Sequence, residues 1–313
     1  MTEETPAAPT VRAEAAPEAT QSSDGQTPDA TVGGDDIDGA DDGADDSSDA
    51  TADPGPPYLI ADVYSGDHSG LIGGQPNWSA LAAAPSVYGA IIKAWEGKEF
   101  DDHGWFAKHW PAVRDAGSDR YGTSWFRGAY LFLIFSRGGS DQADAYLKAV
   151  DAAGGWDSGD IYPIIDVELG HDATAATPTK PARSAHPNQS ASKQQVIDCA
   201  TACADRIREK TGRNVVLYGR RAMHHLGIND RMGCDMVWNP SYTPEMHMGG
   251  LEAWNSQNVV MWQYRGDTPS AAKGLPQSIP GFGQGDISVV IKDGDWRAAN
   301  RQFLRDTLRE PSD

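Results

Sequence analysis

The sequence predicts an α/β protein, namely an irregular (β/α) TIM-like barrel with eight strands and about five helices, preceded by a disordered acidic tail. From residue 58 onward, short apolar runs typical of buried strands alternate with amphipathic helical patterns. Residues 58–313 also have the length of one barrel domain. The intervals between the last strands are short or irregular, so the second half of the barrel should lack full helices.

Charge divides the chain at residue 57. Residues 1–57 contain 15 acidic residues and a single basic one, Arg12, and they carry −14 of the formal charge of −19. They have almost no large apolar side chains, whereas all ten tryptophans lie in residues 58–313. A segment that buries little apolar surface cannot offset the entropy lost on ordering, so we predict that residues 1–57 form a disordered tail.

Each predicted strand is a short apolar run bounded by turn residues. The eight runs lie at 58–64, 88–94, 126–134, 161–168, 214–219, 235–239, 259–264 and 286–291. The clearest helical patterns lie at 104–117, 140–154, 192–212 and 296–309. Ser192 and Gln195 form a capping box at the start of the third of these helices, and Gly212 ends it. The long connection 169–191 is expected to be functional or disordered.

The fourth strand, 161–168, runs through apolar residues and ends in Asp166 and Glu168. Side chains two apart on a strand point to the same face, and their Cα atoms lie roughly 6.5 Å apart. Repulsion and burial should push the two pKa values apart and leave one carboxyl protonated near neutral pH, as glycoside hydrolysis requires. An Asp-x-Glu pair also occurs where a strand exits into solvent or where a divalent cation is held. The preceding uninterrupted buried run favours the catalytic interpretation.

In a parallel barrel the carboxyl ends of the strands form one mouth, and the residues expected there are acidic and aromatic. They are Asp62, Glu96, Tyr130, Asp166, Glu168, Tyr218, Trp238, Trp262, Tyr264 and Asp286. Aromatic faces pack on pyranose rings and carboxylates bond to hydroxyls, so this set predicts a sugar-binding cleft. Some of the tryptophans should instead fill the barrel, but a purely structural core would not gather these acids.

Seven short segments, in their order and spacing, resemble glycoside hydrolase family 25, which comprises the Chalaropsis-type lysozymes. The segments are Asp62-Val63, Ile91-Ile92-Lys93-Ala94-Trp95-Glu96-Gly97, Gly128-Ala129-Tyr130, Pro163-Ile164-Ile165-Asp166-Val167-Glu168, Val237-Trp238, Trp262-Gln263-Tyr264 and Gly285-Asp286. The resemblance spans nearly all of residues 58–291. Two positions depart from the family pattern: Tyr64 stands where many members have serine, and Leu131 stands where a histidine usually follows the tyrosine.

The resemblance implies an irregular barrel with five helices and eight strands that hydrolyses the β-1,4 bond between N-acetylmuramic acid and N-acetylglucosamine in peptidoglycan. By position, Glu168 is expected to be the proton donor and Asp166 its partner acid. Asp62 and Asp286 are expected to be two further carboxylates of the cleft. Asp166 would stabilise the oxocarbenium-like charge, orient the acetamido group of the substrate, or attack directly. No metal or cofactor is expected.

Two other functions compete with this hypothesis. A metal-dependent wall hydrolase would draw its ligands from five histidines that lack zinc-ligand spacing, namely His171, His186, His224, His225 and His247. A non-catalytic glycan-binding or virion structural barrel would not need the pair of Asp166 and Glu168.

The expected partner is bacterial peptidoglycan, and the expected oligomeric state is a monomer. No nucleic-acid partner and no membrane insertion are expected. No stretch approaches the ~20 apolar residues of a membrane span, and the start of the chain lacks the pattern of a signal peptide. The expectation is a protein made in the cytoplasm that reaches the wall after release during phage lysis or from the virion.

Overall fold

The computed structural model describes residues 55–64, 76–97, 100, 102–117, 125–175, 182, 184–266, 269–282 and 285–308. Most of the predicted tail lies outside these residues, so its disorder stays a prediction. Within them the strands are β1 Leu59–Val63, β2 Val87–Glu96, β3 Phe126–Phe132, β4 Ile164–Asp166, β5 Val216–Tyr218, β6 Met236–Pro240, β7 Val259–Arg265 and β8 Asp286–Val290. The α-helices are α1 Trp78–Ala83, α2 Trp105–Ala116, α3 Gly139–Ala152, α4 Lys193–Thr211, α5 Arg221–Leu226 and α6 Arg301–Thr307.

The eight strands close a barrel in sequential order, β1 to β8 and back to β1. This architecture confirms the predicted irregular barrel. Two of the six helices in the described part of the chain, α1 and α5, are only six residues long and were not predicted. The longer helix α4 begins and ends as expected, with the Ser192 and Gln195 capping box at its start and Gly212 in a left-handed conformation at its end.

Strand β8 is the irregular member of the barrel. Neighbouring strands from β1 to β7 are parallel, but β8 is antiparallel to both β7 and β1. The expectation that Asp286 ends a parallel strand is therefore wrong, because Asp286 begins β8. A parallel strand would need a crossover to the opposite end of the barrel, whereas an antiparallel strand can start at the end where β7 stops. Asp286 thus reaches the mouth and pairs in register with Asp62 on β1.

The end of the barrel opposite the mouth, called here the lower end, is covered by the last helix. The predicted helix 296–309 is broken: a 3-10 turn spans Trp296–Ala298, and α6 begins after Asn300, whose side chain accepts a hydrogen bond from the Phe303 amide. Leu304 and Leu308 are fully buried in the apolar cluster inside the barrel. The last helix therefore closes the barrel below the site.

Two apolar layers hold the strands in place. One fills the barrel interior and includes Ile60, Ile91 and Ile164, and the other lies between the strands and the surrounding helices. Because side chains alternate along a strand, every second residue near the upper strand ends projects into the mouth. None of the helices in the described part of the chain is long and apolar enough to cross a membrane.

Candidate active site

The mouth contains a cleft of about 550 Å³. Its walls come from the upper ends of the strands, the segment after β4, and the first residue of α5. The lining residues are Asp62, Tyr64, Lys93, Glu96, Tyr130, Phe132, Asp166, Glu168, Leu169, Gly170, His171, His186, Tyr218, Arg221, Trp238 and Asp286. Eight of the ten predicted site residues are in this set, so the barrel brings them together as expected.

The backbone around Asp166 and Glu168 is fixed by both neighbouring strands. The Leu133 amide donates to the Asp166 carbonyl at 3.1 Å, and the Val167 amide donates to the Tyr218 carbonyl at 2.9 Å. Gly219 permits this close approach, since a Cβ atom there would lie 2.5 Å from the Val167 carbonyl oxygen. The end of β4 is therefore held rigidly.

Asn188 fixes the remaining side of this strand end. Its side-chain amide donates to the carbonyls of Leu133 and Glu168 at 2.6 and 2.9 Å, and its oxygen accepts from the Phe135 amide. Asn188 is fully buried and lies in a 3-10 turn, Pro187–Ser190, within the long connection after Glu168. Residues 176–181 and 183 of that connection lie outside the described residues. The part that is described has a structural role in positioning the acids.

Asp166 is a buried acid without a full set of partners. It is 4% exposed, and its Oδ1 atom has no hydrogen-bond partner among the described residues. Burial, followed by the neighbouring charge of Glu168, raises the pKa of Asp166 well above its usual range, and Lys93 opposes this rise. Burial and the charge of Glu168 therefore both favour the protonated form of Asp166.

Glu168 is half-buried and faces two cations. Burial raises the pKa of Glu168, while the charges of Arg221 and Lys93 lower it. The two acids line the same cleft and the charge of Glu168 raises the pKa of Asp166, so the ionisation of one affects that of the other. Lys93 lowers the pKa of both acids, whereas Arg221 acts on Glu168, so the surrounding cations favour ionisation of Glu168.

Tyr130 lies among the predicted carboxylates. It is 8% exposed, and its pKa is raised well above the usual value by burial and then by the charges of four acids. These acids are Asp62, Asp166, Asp286 and Glu168. The hydroxyl therefore remains protonated and can donate a hydrogen bond among acids that can only accept one when ionised.

A hydrogen-bond network on the opposite wall holds Asp62. Gln263 donates through Nε2 to Asp62 Oδ2 at 2.9 Å, and its Oε1 accepts from the hydroxyls of Tyr218 and Tyr242. Because the two hydroxyls occupy the amide oxygen, the amide nitrogen must face Asp62. Gln263 was not predicted as a site residue, although it lies between two residues that were.

Glu96 is held by Lys93, which was also not predicted. Lys93 Nζ lies 2.5 Å from Glu96 Oε2, and the rings of Tyr64, Phe100 and Phe132 surround the ammonium group at 4.9–5.7 Å. The sequence held a signal for Lys93, because a lysine stands in the buried run of β2 two residues after the inward-facing Ile91.

The predicted aromatic residues divide into two groups. Tyr218 and Trp238 form part of the cleft, with ring centroids 4.4 Å apart, and the Trp238 indole donates to Ser288. Trp262 and Tyr264 lie outside the cleft, packed in the layer between strands and helices, so their predicted substrate contact is not supported by their positions. The physical reason is strand alternation: Gln263 faces inward, so its neighbours face outward.

Two of the five histidines proposed as metal ligands, His171 and His186, line the cleft, and the other three do not. His186 Nδ1 accepts a hydrogen bond from the Asn188 amide, and its Nε2 lies 4.0 Å from Glu96 Oε1. Within the described ranges no group of three or more His, Cys, Asp or Glu side chains could hold a metal ion. The described residues therefore offer no site for the metal-dependent alternative.

Comparisons with known proteins agree with this architecture. The family profile described as Glycosyl hydrolases family 25 matches residues 62–272, a range that ends before β8. A search of curated proteins found no match. Three solved structures illustrate the fold. A family 25 glycosyl hydrolase from Bacillus anthracis is 20% identical with a TM-score of 0.53, over 79% of this chain and 91% of that one. A bacterial lysozyme from Streptomyces coelicolor is 19% identical with a TM-score of 0.55, over 80% of this chain and 95% of that one. A family GH25 lysozyme from Aspergillus fumigatus is 17% identical with a TM-score of 0.55, over 81% of this chain and 100% of that one.

Proposed function

The chain belongs to glycosyl hydrolase family 25 and is a glycosidase; from this premise we propose that it is a peptidoglycan hydrolase of the N-acetylmuramidase type. Its substrate is the glycan strand of the bacterial wall, and the bond cleaved is the β-1,4 linkage between N-acetylmuramic acid and N-acetylglucosamine. Bacterial peptidoglycan is the partner, and the protein acts as a monomer.

One observation carries this proposal: the coupled carboxyls of Asp166 and Glu168 lie together in the wall of an open cleft. Their raised pKa values allow a proton to be held near neutral pH, which a general acid needs. The rim also carries the tyrosine rings of Tyr64 and Tyr242, which are 44% and 51% exposed and can pack on sugar faces.

In this proposal Glu168 donates a proton to the glycosidic oxygen as the bond from that oxygen to C1 of the muramoyl ring breaks. Asp166 supplies negative charge to the cation that develops at C1. Water then forms the new bond to C1, and its proton returns to the pair. Glu168 has the donor role because it is the more exposed of the two acids and so the one that can reach the leaving oxygen.

In this proposal, the acid of the pair that is favoured for protonation changes as the substrate reacts. Burial raises the pKa of both acids and Lys93 lowers both, whereas Arg221 lowers the pKa of Glu168, so protonation of Asp166 is favoured before the substrate binds. Positive charge that develops beside Asp166 favours its ionised form, and the proton is then favoured on Glu168. Glu168 is therefore favoured in its protonated form as the transition state develops, which is when it must donate the proton.

The test is mass analysis of the sugars released from purified peptidoglycan after borohydride reduction. Release of reduced N-acetylmuramic acid ends is expected, and Glu168→Gln serves as the matched inactive control. Reduced N-acetylglucosamine ends would show a different bond specificity. Retained wall binding without any new reducing ends would favour the non-catalytic glycan-binding alternative.

A setting in phage lysis or in the virion belongs to the same proposal. Deleting the coding gene from the genome that carries it should delay lysis of the host culture or reduce wall penetration by particles. Unchanged lysis timing and unchanged infectivity would remove this setting and leave the enzymatic proposal intact.

A further inference from the structure

Arg221 stands out among the cations of the cleft. It is the first residue of α5, its side chain is exposed, and it lines the cleft beside Glu168. Its charge lowers the pKa of Glu168, but within the described part of the chain its guanidinium makes no hydrogen bond and no salt bridge.

The neighbouring basic residues, unlike Arg221, are bonded to other groups of the protein. Lys93 is paired with Glu96, and the guanidinium of Arg220 donates to the carbonyls of Pro240 and Gly249 at 3.0 and 3.3 Å. Arg220 therefore has a structural role that explains its presence. Arg221 has no equivalent role among these residues.

Helix stability does not explain Arg221 either. The amino-terminal end of a helix carries partial positive charge, so a cation in the first turn is unfavourable. Helix α5 has only six residues and no side-chain cap at its start. An arginine placed there costs a little stability, and a role in the cleft accounts for it better than a role in the helix.

The substrate supplies the missing partner. The muramoyl ring whose C1 is attacked carries a lactyl ether at C3 that ends in a carboxyl group, either free or extended by an acidic stem peptide. Arg221 lines the same cleft as Glu168 and its charge acts on Glu168, so it lies on the side of the cleft where the proposed donor meets this ring. Guanidinium groups bind carboxylates through two parallel hydrogen bonds, and no other group in the proposed substrate is an anion.

We propose that Arg221 binds a carboxylate carried by the muramoyl residue and makes the enzyme prefer anionic glycan strands over neutral ones. This inference rests on the proposed muramidase function and names a specificity-determining residue for it. The recognised chemistry is a carboxylate, and its two sources are the free lactyl group and the stem peptide.

The experiment compares three forms of one peptidoglycan whose amines have been acetylated. The first form keeps its stem peptides, the second has had the peptides removed by an amidase to leave free lactyl carboxylates, and in the third all carboxylates are converted to neutral amides. The value of kcat/KM is measured on each form for the wild type, Arg221→Gln and Arg221→Lys. Arg297→Gln, an exposed site outside the cleft with the same charge change, is the matched control.

Arg221→Gln should lose about three- to tenfold in kcat/KM on an anionic form relative to the neutral form, mainly through KM and most strongly at low salt. Arg221→Lys should recover part of the loss. A loss on the first form identifies the stem peptide as the source of the carboxylate, and a loss on the second identifies the lactyl group.

Equal losses on all three forms would overturn the inference, because they would mean that Arg221 acts on the chemistry through Glu168. No loss on any form would overturn it as well. A wild type without activity on any form would instead refute the proposed function, so the two failures are distinguishable.

Discussion

Buried charged residues lie at both ends of the barrel, but those at the lower end have more hydrogen-bond and ion-pair partners than those at the mouth. At the lower end, the side chains of Arg127 and Asp160 are 1% and 4% exposed and lie 2.6 Å apart. Arg127 also contacts Asp157 and donates to the carbonyls of Trp110 and Gly155, and its guanidinium stacks over the Trp110 ring at 3.7 Å. This pair is surrounded by partners.

At the mouth, acidic side chains outnumber the cations that could pair with them. Five acids and two permanent cations line the cleft, and one cation, Lys93, is already paired with Glu96. Oδ1 of Asp166 has no hydrogen-bond partner among the described residues, whereas both oxygens of Asp160 accept hydrogen bonds. Each buried charge at the lower end therefore has several partners, whereas a buried acid at the mouth lacks one, and a buried charge without partners costs stability.

The largest expected effect comes from removing the proposed donor acid, Glu168, at the mouth. Glu168→Gln keeps the shape of the side chain but cannot protonate the leaving oxygen, so muramidase activity should fall about 10²- to 10⁴-fold while the melting temperature is retained. Asp166→Asn should be similarly impaired, because it removes the negative charge that faces the developing cation. Wall-turbidity clearing and thermal unfolding measure the two properties.

An activated aryl glycoside separates the two roles, because its leaving group needs little proton donation. Glu168→Gln should be partly rescued on this substrate and Asp166→Asn should not. The reverse pattern would exchange the assigned roles. Nearly normal activity of both variants on peptidoglycan would refute the assignment of the pair as catalytic.

The next largest effect is expected at the lower end, on stability and not on catalysis. Asp160→Asn leaves the Arg127 guanidinium buried without its main counter-ion and should lower the free energy of unfolding by about 3–5 kcal/mol. The kcat of the folded protein should remain near that of the wild type. Urea unfolding and assays below the unfolding transition test this, and a loss under about 1 kcal/mol would contradict it.

A double variant sharpens the same comparison. Arg127→Met with Asp160→Leu removes both charges and should recover part of the lost stability, because neither charge is then left buried alone. If the double variant is less stable than Asp160→Asn, the interpretation of this pair as a set of matched charges is wrong.

Asp166→Asn should stabilise the protein at neutral pH by about 1 kcal/mol, the opposite of the effect at the lower end. Because the folded pKa of Asp166 is raised, its stabilising contribution is complete below the unfolded pKa and is lost as pH rises through the folded value. The stability difference between variant and wild type should therefore grow as pH rises from about 4. Urea unfolding at several pH values measures it, with the exposed Asp306→Asn as matched control. A difference that shrinks with rising pH would contradict the raised pKa.

The smallest expected effect concerns the tuning of the pair. Lys93 lowers the pKa of both Asp166 and Glu168, so Lys93→Met should move both limbs of the pH profile of kcat/KM toward higher pH. Lys93→Arg keeps the charge and should leave the limbs closer to those of the wild type. A shift toward lower pH in Lys93→Met would show that Lys93 does not face the catalytic pair.

Local sequence was sufficient for much of the fold and for the centre of the site. The apolar run before Asp166 and Glu168 identified a strand end, although β4 is shorter than the predicted 161–168 and ends at Asp166, so Glu168 lies just beyond it. The same reasoning failed for Trp262 and Tyr264, because periodicity shows that neighbours alternate but not which of them faces inward. Gln263 was missed for this reason.

Local sequence was therefore enough for the strand count, the capped helix α4, the position of the acid pair at a strand end and the family. The tertiary structure alone decided the direction of β8, which brings Asp286 to the mouth beside Asp62. It also decided the contact of Gln263 with Asp62, 201 residues away along the chain, and the exposed position of Arg221 in the cleft wall. The physical reason is that propensity and periodicity act over a few residues, whereas a charge acquires its partner, or lacks one, only when distant segments pack together.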